Sequence, residues 1–198
     1  MRLKNCNCIF QPYLRLEKEG LKVKKISKIA IIGGPGTGKT TLADNLGKVL
    51  ELPVYHIDGI HHLANWKPRD KDERDRIILE KVGEPKWVID GTYQSTLESR
   101  VKAADLVIFL NYSRMARMKG ILSRYFKRRG KEKPEIPGCK EKMDWEFLKF
   151  TLNWNNTKGK IIKDVLARNT DKNVLAFKTR RELNSWYEIE FNRKIESQ

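Results

Sequence analysis

From residue 28 onward, short apolar runs alternate with amphipathic stretches. Residues 29–32 (IAII) are continuously apolar between Lys28 and Gly33, as in parallel strands buried on both faces. Leu42, Leu46, Val49 and Leu50 then recur at i, i+4, i+7 and i+8, which predicts a helix. A second strand is expected over 53–57, followed by a histidine-bearing loop (His56, His61, His62) that also carries Trp66. A charged helix at about 70–82 has Ile77, Ile78 and Val82 on its buried side. A third strand, 87–89, enters the turn Asp90-Gly91-Thr92-Tyr93, and a short helix at about 94–102 leads to a fourth strand, 106–110. A basic helix covers roughly 113–129, and Gly130, Pro134, Pro137 and Gly138 then predict a mobile loop. Two more helices are expected over 144–154 and 160–167. Trp145, Leu148 and Leu152 mark the apolar face of the first, with Trp145 and residues 147–150 read as core. The pattern closes on a fifth strand, 174–177, and a helix, 181–189.

Five strands alternating with helices predict right-handed βαβ units and a mainly parallel sheet in a three-layer α/β fold. Ligands of such sheets bind beyond the carboxyl ends of the strands. The glycine-rich turn after residue 32 and the Asp90–Gly91 turn both fall on that edge.

Composition limits the function classes. A chain of 198 residues with 39% hydrophobic residues suits one folded domain and excludes wholesale disorder. The domain is expected over 26–195, after an extension of residues 1–25. The apolar runs are too short to span a bilayer, and the N-terminus lacks a signal-peptide apolar segment, so a soluble cytoplasmic protein is expected. Cys6, Cys8 and Cys139 do not form a disulfide framework or a four-ligand metal site, and read as plain thiols. The net charge of +16 is concentrated: residues 114–142 hold eleven Lys or Arg against three Glu. That excess suits either a nucleic acid partner or a triphosphate pocket.

The chemistry is most legible at residues 33–41. Gly33, Gly34, Pro35, Gly36, Thr37, Gly38, Lys39 and Thr40 match G-x-x-x-x-G-K-[ST] in full, and Thr41 follows. Glycines let the backbone wrap a phosphate with inward N–H groups, and the next helix offers its N-terminal amides to the same anion. Lys39 is placed to reach β/γ-phosphates and the Thr40 hydroxyl to ligate Mg²⁺, so a nucleoside triphosphate with Mg²⁺ is the expected ligand. A GTPase would carry N-K-x-D, whereas Asn169-Thr170-Asp171-Lys172 has the wrong order. A motor ATPase would end an apolar strand in an acidic pair, whereas the strand over 107–110 ends in Asn111.

Further residues belong to the same chemistry. Asp58, at the end of the second strand, either caps the next turn or, as a resemblance to small-molecule P-loop kinases implies, faces the phosphoryl acceptor, where it could orient a hydroxyl or take its proton. Tyr93 and Arg100 flank the acceptor side. The three histidines lack carboxylate or cysteine partners at supporting spacing, and read as loop-packing or solvent-exposed.

V-I-D-G at 88–91 resembles the Asp-Gly turn of adenylate-kinase-like enzymes. The resemblance implies that Asp90 holds Mg²⁺ through water and that Gly91 lets substrate approach the backbone. Residues 110–114 resemble the strand-to-lid junction L-D-x-P-R, with Asn111 in place of Asp. The same likeness implies a lid over about 117–143, with Arg117, Arg124 and Arg128 clamping phosphates, ATP as donor, and a small molecule or nucleotide as acceptor. It also implies that residues 178–180 pass the adenine. WVIDGTY (87–93), PGCKEKMDWEFLKF (137–150) and TRRELNSWYEI (179–189) together resemble the DNA topology modulation, or FlaR-related, group of P-loop proteins, from about residue 27 to 190. Thr92 stands where that group is expected to carry Asn. The group's label implies an alternative in which the basic lid and tail bind DNA and nucleotide acts as a switch.

Overall fold

The central strand of the computed structural model is β1 (Lys28–Gly33), hydrogen-bonded in parallel to β5 (Trp87–Asp90) on one side and β6 (Leu106–Leu110) on the other. The edges are β2 (Val54–His56) beside β5 and β9 (Asn173–Phe177) beside β6, giving a five-stranded parallel sheet of order β2-β5-β1-β6-β9. The structure describes residues 26–141, 144–192 and 194–196; the expected extension over 1–25 lies outside them.

Residue alternation along β1 sends side chains into two separate cores. Ile29 and Ile31 pack with Leu42 and Leu46 of α1 (Lys39–Leu50) and with Leu183 and Trp186 of α8 (Arg180–Phe191). Ala30 and Ile32 face Ile78 of α3 (Lys71–Gly83), Val101 of α4 (Leu97–Ala103) and Ile162 of α7 (Lys158–Arg168). Each of these isoleucines is fully buried, which is favourable by about 1.5–3 kcal/mol per side chain. Helices on both faces leave only the strand ends open for a ligand, so the sheet itself sets the position of the site.

Helix starts follow from capping chemistry. Asp70 accepts from the amides of Asp72 and Glu73, and Thr179 accepts from that of Glu182. Ser113 likewise caps α5 (Arg114–Arg128), and Asp144 caps α6 (Trp145–Asn153). No helix among the described residues is long and apolar enough to cross a membrane.

Three sequence expectations need correction. The second strand stops at His56, and the loop expected after it holds a short helix, α2 (Ile57–His61). A small ladder between β3 (His62–Leu63) and β4 (Lys67–Pro68) follows, around a 3₁₀ turn at Ala64–Trp66.

The mobile loop expected from Gly130, Pro134, Pro137 and Gly138 is an antiparallel hairpin, β7 (Glu132–Lys133) with β8 (Ile136–Lys140). Prolines are tolerated in a two-stranded ribbon because each strand is an edge strand, so this Gly/Pro signal marks the hairpin's bends. The hairpin folds down onto α2. A Cβ at Gly59 would sit 2.3 Å from the Glu135 carbonyl oxygen, so only glycine permits that approach.

The stripe on α6 was expected to be core. Trp145 is 66% exposed and Phe150 42%, because α6 rests on α5 and not on the sheet.

Candidate active site

The loop between β1 and α1 has the left-handed backbone that its glycines allow, with φ of +73° at Gly36 and +87° at Gly38. Its outer side is braced by α5. A Cβ at Gly120 would lie 2.0 Å from the Gly36 carbonyl oxygen, so helix and loop touch backbone to backbone. Arg117 lies beneath the same loop. It is fully buried, donates to the carbonyl oxygens of Tyr112 and Thr151 and to Asn155 Oδ1, and lies over the Trp154 ring at 5.0 Å. The structure therefore gives Arg117 the position of a strut under the loop, in place of the phosphate clamp expected of it.

Lys39 lies across the loop and donates to the Gly34 carbonyl oxygen at 3.1 Å. Burial pushes its ammonium below the usual lysine range, and the charges of Arg124 and Lys133 push the same way, while Asp58 and Asp90 oppose the shift. The charges of four side chains, from α5, β7, α2 and β5, thus act on one ammonium. Lys133 is a member of this group that sequence reasoning missed. Nothing in K-E-K-P-E separates it from Lys131 except the hairpin, which turns Lys133 inward, 8% exposed, and leaves Lys131 outside.

The Thr40 hydroxyl donates to Asp90 Oδ2 at 3.1 Å, so the two candidate magnesium residues are in direct contact. The other carboxylate oxygen of Asp90 pairs with His56 Nδ1 at 2.6 Å, and His56 Nε2 pairs with Asp44 Oδ1 at 3.0 Å. His56, expected to be a loop or surface histidine, instead fixes the orientation of Asp90. The available signal was spacing: Thr40 and Asp44 stand four residues apart on one face of α1. Desolvation works against a charged His56 but is outweighed by the Asp90 hydrogen bond and the Asp90 and Asp44 charges, which raise it from 6.5 to about 9.

A folded-state value above the unfolded one favours the folded protein at low pH. In metal-free protein this contribution is complete below about pH 6.5 and disappears as pH rises through about 9, amounting to at most about 3 kcal/mol. Denaturant midpoints measured across this range should fall with pH in the wild type and much less in His56→Asn. Equal slopes would remove His56 from that role.

The Asp90–Gly91 turn is tied on both sides. The Thr92 hydroxyl donates to the Gly33 carbonyl oxygen at 2.7 Å, linking the turn to the start of the phosphate loop. Arg100 is fully buried and donates to the carbonyl oxygens of Gly91 and Tyr93, both at 2.8 Å. It shapes the turn and does not reach out to an acceptor, as the sequence had suggested.

Asp58 is exposed and lies within electrostatic reach of Tyr93. Desolvation and the Asp58 charge push the Tyr93 hydroxyl above its usual range, so it stays protonated. Arg74 covers the Tyr93 ring at 4.8 Å.

The remaining lid arginines are paired. Arg124 meets Glu141 at 3.0 Å, and Arg128 lies 3.8 Å from Glu135. Arg124 still faces Lys39, whereas Arg128 lies further along the hairpin's acidic side. Beyond β9, the Arg180 guanidinium stands over Gly38, 3.3 Å from where a Cβ would be. Cys139 is a buried thiol that accepts the Trp66 amide at 3.1 Å.

No family model and no curated protein matches the sequence. Solved structures do. Shikimate kinase from Bacteroides thetaiotaomicron is 16% identical, with a TM-score of 0.51 over 83% of this chain and 98% of that one. Shikimate kinase from Acinetobacter baumannii, solved with shikimate, is 15% identical with the same TM-score, over 86% of this chain and 96% of that one. The chain therefore has the three-layer α/β fold of these P-loop kinases.

Proposed function

We propose that this protein transfers the γ-phosphoryl group of ATP, with Mg²⁺, to a small-molecule or nucleotide acceptor. The observation that carries the reading is the contact between Thr40 and Asp90 beside Lys39, with Asp58 facing that lysine from the acceptor side. The residues present fit the expected ligands. A loop with left-handed glycines can turn its amides toward an anion, and a hydroxyl and a carboxylate lie together as oxygen donors that would hold a cation.

In this scheme the amides of the loop and Lys39 hold the β- and γ-phosphates. Thr40 and Asp90 hold Mg²⁺, with Asp90 kept in place by His56 and the Gly91 turn kept in shape by Arg100. Bound Mg²⁺ supplies charge neutralisation on the phosphate oxygens. Asp58, beside the protonated Tyr93 hydroxyl, orients the acceptor hydroxyl and takes its proton. Arg124 and Lys133 add positive charge from the lid where it develops in transfer. The hairpin rests on α2 beside Asp58 and covers one side of the site.

The resemblance over about 27–190 supports, within this proposal, a kinship with the FlaR-related group. The alternative DNA-binding role draws on the basic helix α5. There Arg117, Arg124 and Arg128 are engaged with protein oxygens.

Calorimetric titration with ATP tests the donor half. The expected dissociation constant lies between about 1 μM and 1 mM, tightening when Mg²⁺ is added. Absence of binding, or binding indifferent to Mg²⁺ in both wild type and Asp90→Asn, would remove ATP·Mg²⁺ from the account.

A further inference from the structure

The acceptor side has a composition of its own. Beside Asp58 stands a run of four rings: Tyr93, His61 at 4.9 Å from it, His62 at 4.4 Å from His61, and Trp66 at 5.2 Å from His62. The Lys133 ammonium covers the Trp66 ring at 5.0 Å and lies within electrostatic reach of Asp58. The four rings are half-buried and meet at angles of 54° to 73°, with Arg74 over one face of Tyr93 and Lys133 over one face of Trp66, so they offer ring edges and the remaining faces next to a carboxylate. Such surfaces stack on nucleobases and on the C–H faces of sugars.

Recognition of an anionic acceptor needs a different device, a guanidinium whose fork is open to a phosphate or carboxylate. Among the described residues, the arginines near these rings are engaged by protein oxygens, Arg124 by Glu141. Arg69 is held by the Ile60 carbonyl oxygen and Glu73, and Arg74 by Asp75 and Ser95. Arg100 is held by the Gly91 and Tyr93 carbonyl oxygens. Lys133 lies among carboxylates, 3.9 Å from Glu141 and influenced by Glu135 and Asp58. Asp58 and Glu135 also repel a second negative charge brought beside them.

We infer that the acceptor is an uncharged alcohol with a flat or C–H face, and not a phosphate ester or a carboxylic acid. The inference rests on the phosphoryl-transfer reading and narrows its acceptor. In the reaction the acceptor oxygen forms a bond to the γ-phosphorus, and the bond from that phosphorus to the β,γ-bridging oxygen breaks. ADP leaves and the hydroxyl proton passes to Asp58. Nucleosides and unphosphorylated sugars or polyols share this chemistry, and the experiment separates them.

The test is equilibrium binding of matched pairs to the full chain: nucleosides against their 5′-monophosphates, and sugars or polyols against the corresponding sugar acids. It counts only binding that ATP does not compete away. One neutral arm should bind at least about tenfold more tightly than its anionic counterpart, a difference of about 1.4 kcal/mol. The arm that binds identifies the source. Glu135→Gln should narrow the gap by strengthening the anionic member and leaving the neutral one unchanged, an effect that a general loss of structure cannot produce. An anionic member that binds as well as or better than its neutral partner overturns the inference, and so does a panel in which no neutral compound binds. Because binding is read without donor turnover, failure of ATP to bind sinks the kinase reading separately.

Discussion

Replacing Lys39 with alanine should weaken ATP binding about 10- to 100-fold while leaving the fold intact. Hydrogen bonds to charged groups contribute about 1.5–3 kcal/mol, which corresponds to that range of affinity. The loss in phosphoryl transfer should be larger, about 100- to 1,000-fold, because the ammonium is held where charge develops in the transition state. The stability prediction has the opposite sign. Burial lowers the Lys39 ammonium, so the folded state works against this charge, and its removal relieves that cost. Thermal unfolding of Lys39→Ala should therefore occur at the wild-type temperature or above it. A variant that binds ATP as tightly as the wild type would contradict the assignment.

Asp58→Asn should separate chemistry from binding. The asparagine has nearly the same shape and fits the same exposed position on α2, so the local structure should persist. It cannot take a proton. Loss of a general base typically costs about 10²- to 10⁴-fold in rate, and kcat should fall by that amount with the dissociation constant for ATP unchanged. Steady-state kinetics combined with ATP titration reads both numbers. A parallel fall in rate and ATP affinity would make Asp58 part of the donor site, and an unchanged rate would leave it without a catalytic role.

Some of this architecture was legible from pattern alone. The strand over 106–110 matches its expected bounds, because Asp105 and Asn111 delimit an apolar run that must be buried on both faces. The phosphate loop and the Asp90–Gly91 turn were equally legible, since both follow such strands. The segment 57–66 was not. Helix α2 is only five residues long, and its position depends on Gly59 meeting the Glu135 carbonyl oxygen, a contact about 75 residues away in sequence.

The arginines show the same limit. Arg117, Arg124 and Arg128 look equivalent on a basic helix, yet one is fully buried beneath the phosphate loop and the other two are held by Glu141 and Glu135. The role of Arg117 depends on Thr151, Asn155 and Trp154, and those of Arg124 and Arg128 on the hairpin and the residue that follows it. That hairpin also explains Lys133, whose spacing carried no signal. His56 was hidden for a related reason: its two carboxylate partners come from α1 and β5, and only the sheet order brings them together.

The central claim is that the two halves of the site act on one phosphoryl group. The direct measurement is ³¹P NMR of the wild-type protein with Mg²⁺, ATP and the neutral alcohol panel. The account predicts growth of a new phosphomonoester resonance in step with ADP, dependent on both Asp58 and Lys39. ATP that stays intact, or that yields only inorganic phosphate with every acceptor, would contradict it.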